Sequence, residues 1–338
     1  MIRQKLLGPS GLRVSELCLG TLTFGEPKRW GADAESAAAI LSAFVDAGGT
    51  FIDTAPNYAS GVAEEIVGCF IRGRRDNLVI ATKFTAAAEV HPLAGGNSRK
   101  SMMRAVEGSL TRLGTDHIDL LWLHYWDGTT PADEILRAFD DLVRAGKVLY
   151  VGLSDTPAWV VSRAATIAEL RGLTPVIASQ IEYNVAARTA ERELLPMADA
   201  LGLGVVCWGA LAAGALAAGD QPLRRAPDSL PPTLAKVADA IAQLSAESGV
   251  APISLALHWL MDRPGGRMIP LIGARTEVQI RNTIAAAAAE VDGALLAALD
   301  GIAPPRLGFP HELIASPYLR KLALGDPSLF VPEIRARS

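Results

Sequence analysis

Cysteine is scarce in this 338-residue sequence: Cys18, Cys69 and Cys207 are odd in number and far apart. Each stands inside an apolar segment, so buried free thiols are expected rather than disulfide partners or metal ligands. No metal site is expected, and the usage suits a reducing compartment. Long runs of one charge are missing too, since 32 basic residues against 36 acidic ones leave a net charge of −4. Neither nucleic acid nor an anionic membrane surface is therefore an expected partner. No window reaches the roughly 18 uncharged apolar residues of a membrane helix. The opening stretch MIRQKLLGPSGLRVSELCLG lacks the apolar core of a signal peptide. The expectation is a soluble cytoplasmic protein, and its 50% hydrophobic content is enough to bury a large core.

What is present is repetition of a structural kind. Eight short apolar runs, VSELCLG, GTFID, LVIATK, IDLLWLH, VLYVGLS, VIASQIEY, GVVCW and RMIPLIG, alternate with stretches of helical periodicity. Those stretches cover residues 34–47, 61–72, 99–113, 132–145, 157–171, 189–201, 232–263 and 276–289. Continuous apolar strands joined by helical crossovers predict a parallel sheet, and eight units close an α/β (β/α)8 TIM barrel. A doubly wound open sheet is disfavoured because no G-x-G-x-x-G follows an early strand. The turn GPSG predicts an N-terminal β-hairpin. Residues 84–98, 209–231 and the tail from about 303 exceed ordinary connections, and two of these follow strands, which predicts long loops at the C-terminal face. No linker divides residues 1–338, so a single barrel domain is expected.

Several strands end in polar residues that an apolar core does not explain: Asp53, Lys83, His124, Ser154 with Asp155, and Gln180. In a barrel these strand ends converge on one mouth. Lys83 is one of seven lysines beside twenty-five arginines and directly follows LVIAT, where burial opposes its charge. Asp53, on the neighbouring strand, is its expected partner. Tyr58 lies five residues further on, within reach of the same ammonium. A nearby cation stabilises phenolate, so the phenol's pKa is expected to fall from about 10 toward a range useful for proton transfer. His124 is a candidate to hydrogen-bond a carbonyl oxygen and hold it toward the phenol. Such a set protonates an oxygen that gains negative charge, yet none of its members donates hydride. A nicotinamide cofactor is the simplest complement.

These residues sit in motifs that resemble the aldo-keto reductase family along nearly the whole chain. FIDTAPNYASGVAEEIVG resembles D-T-A-x-x-Y-x-x-G-x-x-E-E-x-x-G and supplies Asp53 and Tyr58, while VIATKF supplies Lys83 and RLGTDHIDLLWLH supplies His124. AGKVLYVGLSDTPAW and SQIEYN resemble the segments whose Ser, Asn and Gln hold the nicotinamide carboxamide, which points to Ser154, Asp155 and Gln180. Asp155 stands where that pattern has Asn; when ionised it accepts but cannot donate. Trp208, in VVCWGALAAG, falls where the family stacks an aromatic on the nicotinamide ring, with Gly209 and Leu211 following. IPLIGARTEVQIRNTI resembles the adenosine-phosphate segment, so Gly273, Arg275, Gln279 and Asn282 are implied cofactor contacts, with Thr283 in the place of the usual Asn. Arg275 would meet a 2′-phosphate and favour NADPH/NADP+ over NADH.

The resemblance implies NADPH-dependent reduction of a small aldehyde or ketone, with reversal to alcohol oxidation, and is nearest the aryl-alcohol dehydrogenase-like branch. Its other implication is a nicotinamide-binding regulatory subunit, like the potassium-channel β subunits, assembled as a tetramer; assembly as an oligomer stays open. Trp126, two residues past His124, is the first candidate for a substrate-pocket wall. Trp30, Trp159 and Phe309 face substrate or simply pack. Gly61, Glu64 and Glu65 are expected to begin the helix after Tyr58, where acids suit the positive helix end. A glycosidase pairing of Asp53 with Glu64 is disfavoured.

Overall fold

Alternation of inward and outward side chains along short apolar strands dictates the architecture. The structure, a computed structural model, describes residues 1–25, 31–87, 91, 93–217, 230–263 and 265–325. Strands β1 (Gln4–Leu6) and β2 (Arg13–Ser15) pair antiparallel as the expected hairpin. The next eight strands are β3 (Cys18–Gly20), β4 (Phe51–Asp53), β5 (Val79–Phe84), β6 (Ile118–Leu123), β7 (Val148–Ser154), β8 (Val176–Glu182), β9 (Gly204–Trp208) and β10 (Met268–Ile272). They form a closed parallel barrel in sequence order, sealed by β10 against β3. All eight apolar runs of the sequence are its staves.

Around it stand α1 (Ala34–Asp46), α2 (Val62–Ile71), α3 (Arg99–Leu113), α4 (Ala132–Arg144), α5 (Ala158–Arg171), α6 (Leu194–Ala200), α7 (Pro232–Ser248), α8 (Pro252–Met261) and α9 (Glu277–Ala287). The stretch 232–263, read as one helix, is two helices bent by 107°. Gly249 ends α7 in the left-handed conformation, and Pro252 opens α8 at a position where a missing N–H costs nothing. Helix α10 (Gly293–Ile302), which the periodicity did not reveal, packs on α7 and α8; α11 (His311–Ile314) and α12 (Pro317–Leu324) follow in the tail. Among the described residues no single helix is long and apolar enough to cross a membrane.

Two apolar layers result. Outward residues such as Ile52, Ile80, Phe84, Leu121 and Val151 join the helices in one large core. Inward residues fill the barrel itself: Cys18, Phe51, Val79, Ala81, Leu120, Trp122, Ala178, Val206 and Ile269. Leu7 and Val14 of the hairpin region close this inner cluster. Trp122 needs its neighbour on β7 to be glycine, because a Cβ at Gly152 would stand 2.3 Å from the indole. Of the cysteines, Cys18 and Cys207 are buried as expected, whereas Cys69 is exposed. The inner face of α2 consists of Ala63, Glu64, Val67, Gly68 and Ile71, and residue 69 falls off that stripe.

Glu64 and Glu65 lie in the first turn of α2, as expected, but Glu64 has a second task. It is fully buried, accepting from Thr82 Oγ1 at 2.6 Å and from Arg112 Nε at 2.7 Å. Of the two first-turn acids only Glu65 is exposed. Thr82 points outward because it alternates with the inward Ala81 and Lys83, so the network ties β5, α2 and α3 together behind the barrel wall. Removing the cation leaves an uncompensated buried carboxylate. Arg112→Met is therefore expected to destabilise the fold by about 3 kcal/mol, and adding Glu64→Gln to recover part of that loss. Urea unfolding midpoints of the single and double variants measure both effects.

Candidate active site at the barrel mouth

The inward parity that buries Phe51, Ala81, Trp122, Gly152, Ala178 and Val206 continues one step further on each strand. That step brings Asp53, Lys83, His124, Ser154, Gln180 and Trp208 to a single rim. The register sets Ser154 beside Gln180 and Lys83 beside Trp122. Residues up to 155 positions apart in sequence thus meet at the C-terminal end of the barrel, Asp53 and Trp208 being the extremes.

Lys83 is buried, and each of its three donors has an acceptor. It pairs with Asp53 Oδ1 and donates to the Thr54 carbonyl at 3.0 Å and to the Tyr58 hydroxyl at 3.2 Å. Burial alone would lower its pKa, but the charges of Asp53 and Tyr58 and their hydrogen bonds outweigh that and hold the ammonium protonated. The second oxygen of Asp53 accepts from Gln180 Nε2 at 3.1 Å, so a bond crosses from β8 to β4. Tyr58 itself contradicts the expected direction: its pKa is raised. Burial pushes it up, Lys83 pulls it down, and Asp53 offsets much of the lysine's charge. The phenol keeps its proton firmly.

The turn that carries Tyr58 is strained. Ala59 (φ 46) and Ser60 (φ 56) are left-handed without being glycine, and Gly61 follows at φ 98. A Cβ at Gly61 would stand 2.8 Å from Arg112 Cδ, so the arginine that pairs Glu64 also packs against this turn. The ring of Tyr58 meets His124 edge to face, with centroids 6.2 Å apart. His124 Nδ1 is buried without a partner, as is Ser154 Oγ. Burial and then the Lys83 charge lower the His124 pKa from 6.5 to about 3, so the imidazole is neutral at physiological pH.

Trp126 packs edge to face on Trp159, with ring centroids 5.4 Å apart, and donates from Nε1 to the Thr130 carbonyl at 3.2 Å. Phe309 is exposed, and Trp30 lies outside the described residues. Asp155 follows β7 at φ 38; its Oδ1 accepts from Trp208 Nε1 at 2.9 Å and its N–H donates to the Gln180 carbonyl at 3.1 Å. Gly209, at φ 70, has its carbonyl held by Asn184 Nδ2 at 2.9 Å, and Leu211 packs partly buried against the core. Gly273 is exposed just beyond β10. Arg275 N–H donates to Gln279 Oε1 at 2.8 Å, and Thr276 caps α9. Asn282 is exposed on α9, while Thr283 is buried and bonded to the Gln279 carbonyl at 2.9 Å.

In comparison with known proteins, residues 16–304 match the model of the Aldo/keto reductase family. The chain belongs to that family. An aryl-alcohol dehydrogenase [NADP(+)] of Phanerodontia chrysosporium is 34% identical over 92% of this chain and 88% of its own length. Norsolorinic acid reductase B of Dothistroma septosporum is 34% identical over 92% and 84% respectively. An uncharacterised oxidoreductase of Bacillus subtilis, YrpG, reaches 38% over 91% and 98%. Membership and these names make the chain an oxidoreductase of the carbonyl-reducing kind.

As an aldo/keto reductase it holds groups that the strand-end argument did not single out. The Thr54 carbonyl completes the Lys83 shell, and no side-chain pattern betrays a backbone acceptor. Asn97 is fully buried and locks the loops after β5 and β6 together: its Nδ2 donates to Thr85 Oγ1 at 2.7 Å and to the Tyr125 carbonyl at 3.2 Å. Asp127 answers with its N–H on Asn97 Oδ1 at 2.7 Å. Glu64 faces Thr82 and Arg112 rather than the mouth, so no Asp53–Glu64 pair exists for glycosidic chemistry. A neutral, partly buried His124 has a measurable consequence. Its folded pKa lies below the unfolded value, so its contribution to stability is complete above 6.5 and is lost as pH falls toward 3. Imidazole chemical shifts in a pH titration are expected to stay constant from pH 8 down to 5, whereas a midpoint near 6.5 would show the ring to be solvated.

Proposed function

We propose that this aldo/keto reductase reduces an aldehyde or ketone to the alcohol with NADPH, in a reversible hydride transfer with Tyr58 as general acid. The observation that carries the reading is the Tyr58 hydroxyl bonded at 3.2 Å to a buried ammonium whose other donors are occupied by Asp53 and Thr54. Bound NADPH supplies hydride to the carbonyl carbon, which no side chain here can do. Tyr58 gives its proton to the carbonyl oxygen as negative charge develops there. A raised pKa suits this order of events, because the phenol keeps the proton until a more basic alkoxide oxygen forms. The phenolate left behind faces Lys83, which stabilises it until solvent returns a proton. His124, neutral and beside the phenol, donates an N–H to the same oxygen and fixes its direction.

The residues present fit the cofactor. The unpartnered Ser154 hydroxyl, the Gln180 amide and the Asp155 carboxylate offer the donors and acceptors that a carboxamide takes, and Trp208 offers a ring face beside them. Gly209 and Leu211 continue that wall. Beyond β10, Arg275 and the first turn of α9 suit a phosphate through charge and helix dipole, with Gly273, Gln279 and Asn282 around it. Arg275 supports NADPH over NADH, as does the name of the Phanerodontia chrysosporium relative, which includes NADP(+). An aromatic carbonyl is the substrate class favoured by Trp126 and Trp159 at the mouth and by the relatives named for aryl alcohols and norsolorinic acid.

Tyr58→Phe removes the acid while leaving the ring and the proposed cofactor contacts. Turnover with a good aryl aldehyde is expected to fall by about 10² to 10⁴, with the Kd for NADPH close to wild type. Steady-state kinetics and cofactor fluorescence titration read the two quantities, and a Tyr58→Phe variant with wild-type turnover would overturn the assignment.

A further inference from the structure

Among the described residues the formal charges of the mouth do not balance. Asp53 and Lys83 cancel as a bonded pair, and His124 is neutral. Asp155 remains, with no salt bridge to any described residue, and Glu182 ends the neighbouring strand near it. The carboxylate is not loose: Trp208 Nε1 holds Oδ1 at 2.9 Å, and the backbone at Asp155 is tied to the Gln180 carbonyl at 3.1 Å. Burial raises the Asp155 pKa and the Trp208 hydrogen bond pulls it back; in its ionised form the carboxylate places a negative charge beside the indole of Trp208, one residue past Ser154.

We propose that Asp155 is an electrostatic partner of the hydride-donating ring, stabilising the positive charge that the ring gains as it gives up hydride. The proposal rests on the reading that a nicotinamide cofactor binds at this mouth. The reduced ring is neutral and the oxidised ring carries one positive charge. A carboxylate near the ring therefore acts on one side of the reaction only, which is the condition for lowering a barrier rather than merely tightening binding. An amide in the same place would contact the carboxamide but would not discriminate between the redox states. By favouring the oxidised form, Asp155 makes the bound reduced cofactor the stronger hydride donor and slows release of NADP+. It also opposes phenolate at Tyr58, whose pKa it helps to raise, so both of its effects favour reduction of the carbonyl.

Asp155→Asn isolates the charge. Asparagine adopts the left-handed backbone found at φ 38 without added strain, and its Oδ1 can still accept from Trp208. The experiment is equilibrium titration of wild type, Asp155→Asn and Ser154→Ala with NADP+ and with NADPH separately, at two ionic strengths. In Asp155→Asn the affinity for NADP+ is expected to fall by about 3- to 10-fold relative to NADPH, the effect shrinking at high salt. Ser154→Ala, which removes a contact common to both forms, is expected to weaken both equally. An unchanged NADP+ to NADPH ratio in Asp155→Asn, with both forms still bound, would overturn the role of Asp155 and leave the NADPH reading standing. Failure of wild type to bind either form would overturn that reading, and this proposal with it.

Discussion

One buried ammonium organises the mouth of this barrel. Taking Lys83 out of water costs several kcal/mol unless every donor is satisfied, and the fold satisfies all three. Asp53 comes from the adjacent strand, the Thr54 carbonyl from the residue after it, and the Tyr58 hydroxyl from the loop beyond. Gln180 then reaches across from β8 to the other oxygen of Asp53. A single ion pair thus fixes two neighbouring strands, a strand across the barrel and the phenol. The barrel's inner layers end where this polar rim begins, and the change follows from strand parity: one step past Phe51 and Ala81, the inward positions are Asp53 and Lys83.

Holding the phenol there requires an uncomfortable backbone. Two consecutive non-glycine residues in the left-handed region cost roughly 1 kcal/mol or more each, and persist only where their surroundings leave no alternative. Arg112 supplies part of that constraint, packing under Gly61 while pairing with the buried Glu64, which in turn is bonded to Thr82 next to Lys83. The wall of the barrel therefore reaches the loop from behind. Stability and the proposed proton transfer share these residues, because the network that keeps α2 in place also sets where the phenol points.

Much of this was legible in the sequence because it depends on short periodicities. Eight apolar runs fixed the strand count, and polar residues at their ends marked the mouth. A rare lysine inside an apolar run announced the ion pair. Features that depend on the balance of opposing effects were not legible. The Tyr58 pKa moves up rather than down because burial and Asp53 together exceed the lysine, a comparison that needs distances. Glu64 is the helix-start acid expected, but its burial against Thr82 and Arg112 depends on the phase of α2 and on two other elements. Cys69 sits in an apolar segment yet faces outward, since the phase of α2 rather than local hydrophobicity decides its side. The bend between α7 and α8 was signalled by Gly249 and Pro252, but continuous helical periodicity across 232–263 concealed it.

Lys83 is the centre of the geometry and of the proposed proton transfer, and a single-turnover experiment on Lys83→Met addresses that directly. Wild type and variant, each loaded with NADPH, would be mixed with an aryl aldehyde while the near-ultraviolet absorbance of the reduced nicotinamide is followed. The expected result is rapid oxidation by wild type, and oxidation slowed by about 10² or more in a variant that still binds cofactor. Wild-type oxidation rates in Lys83→Met would contradict the account.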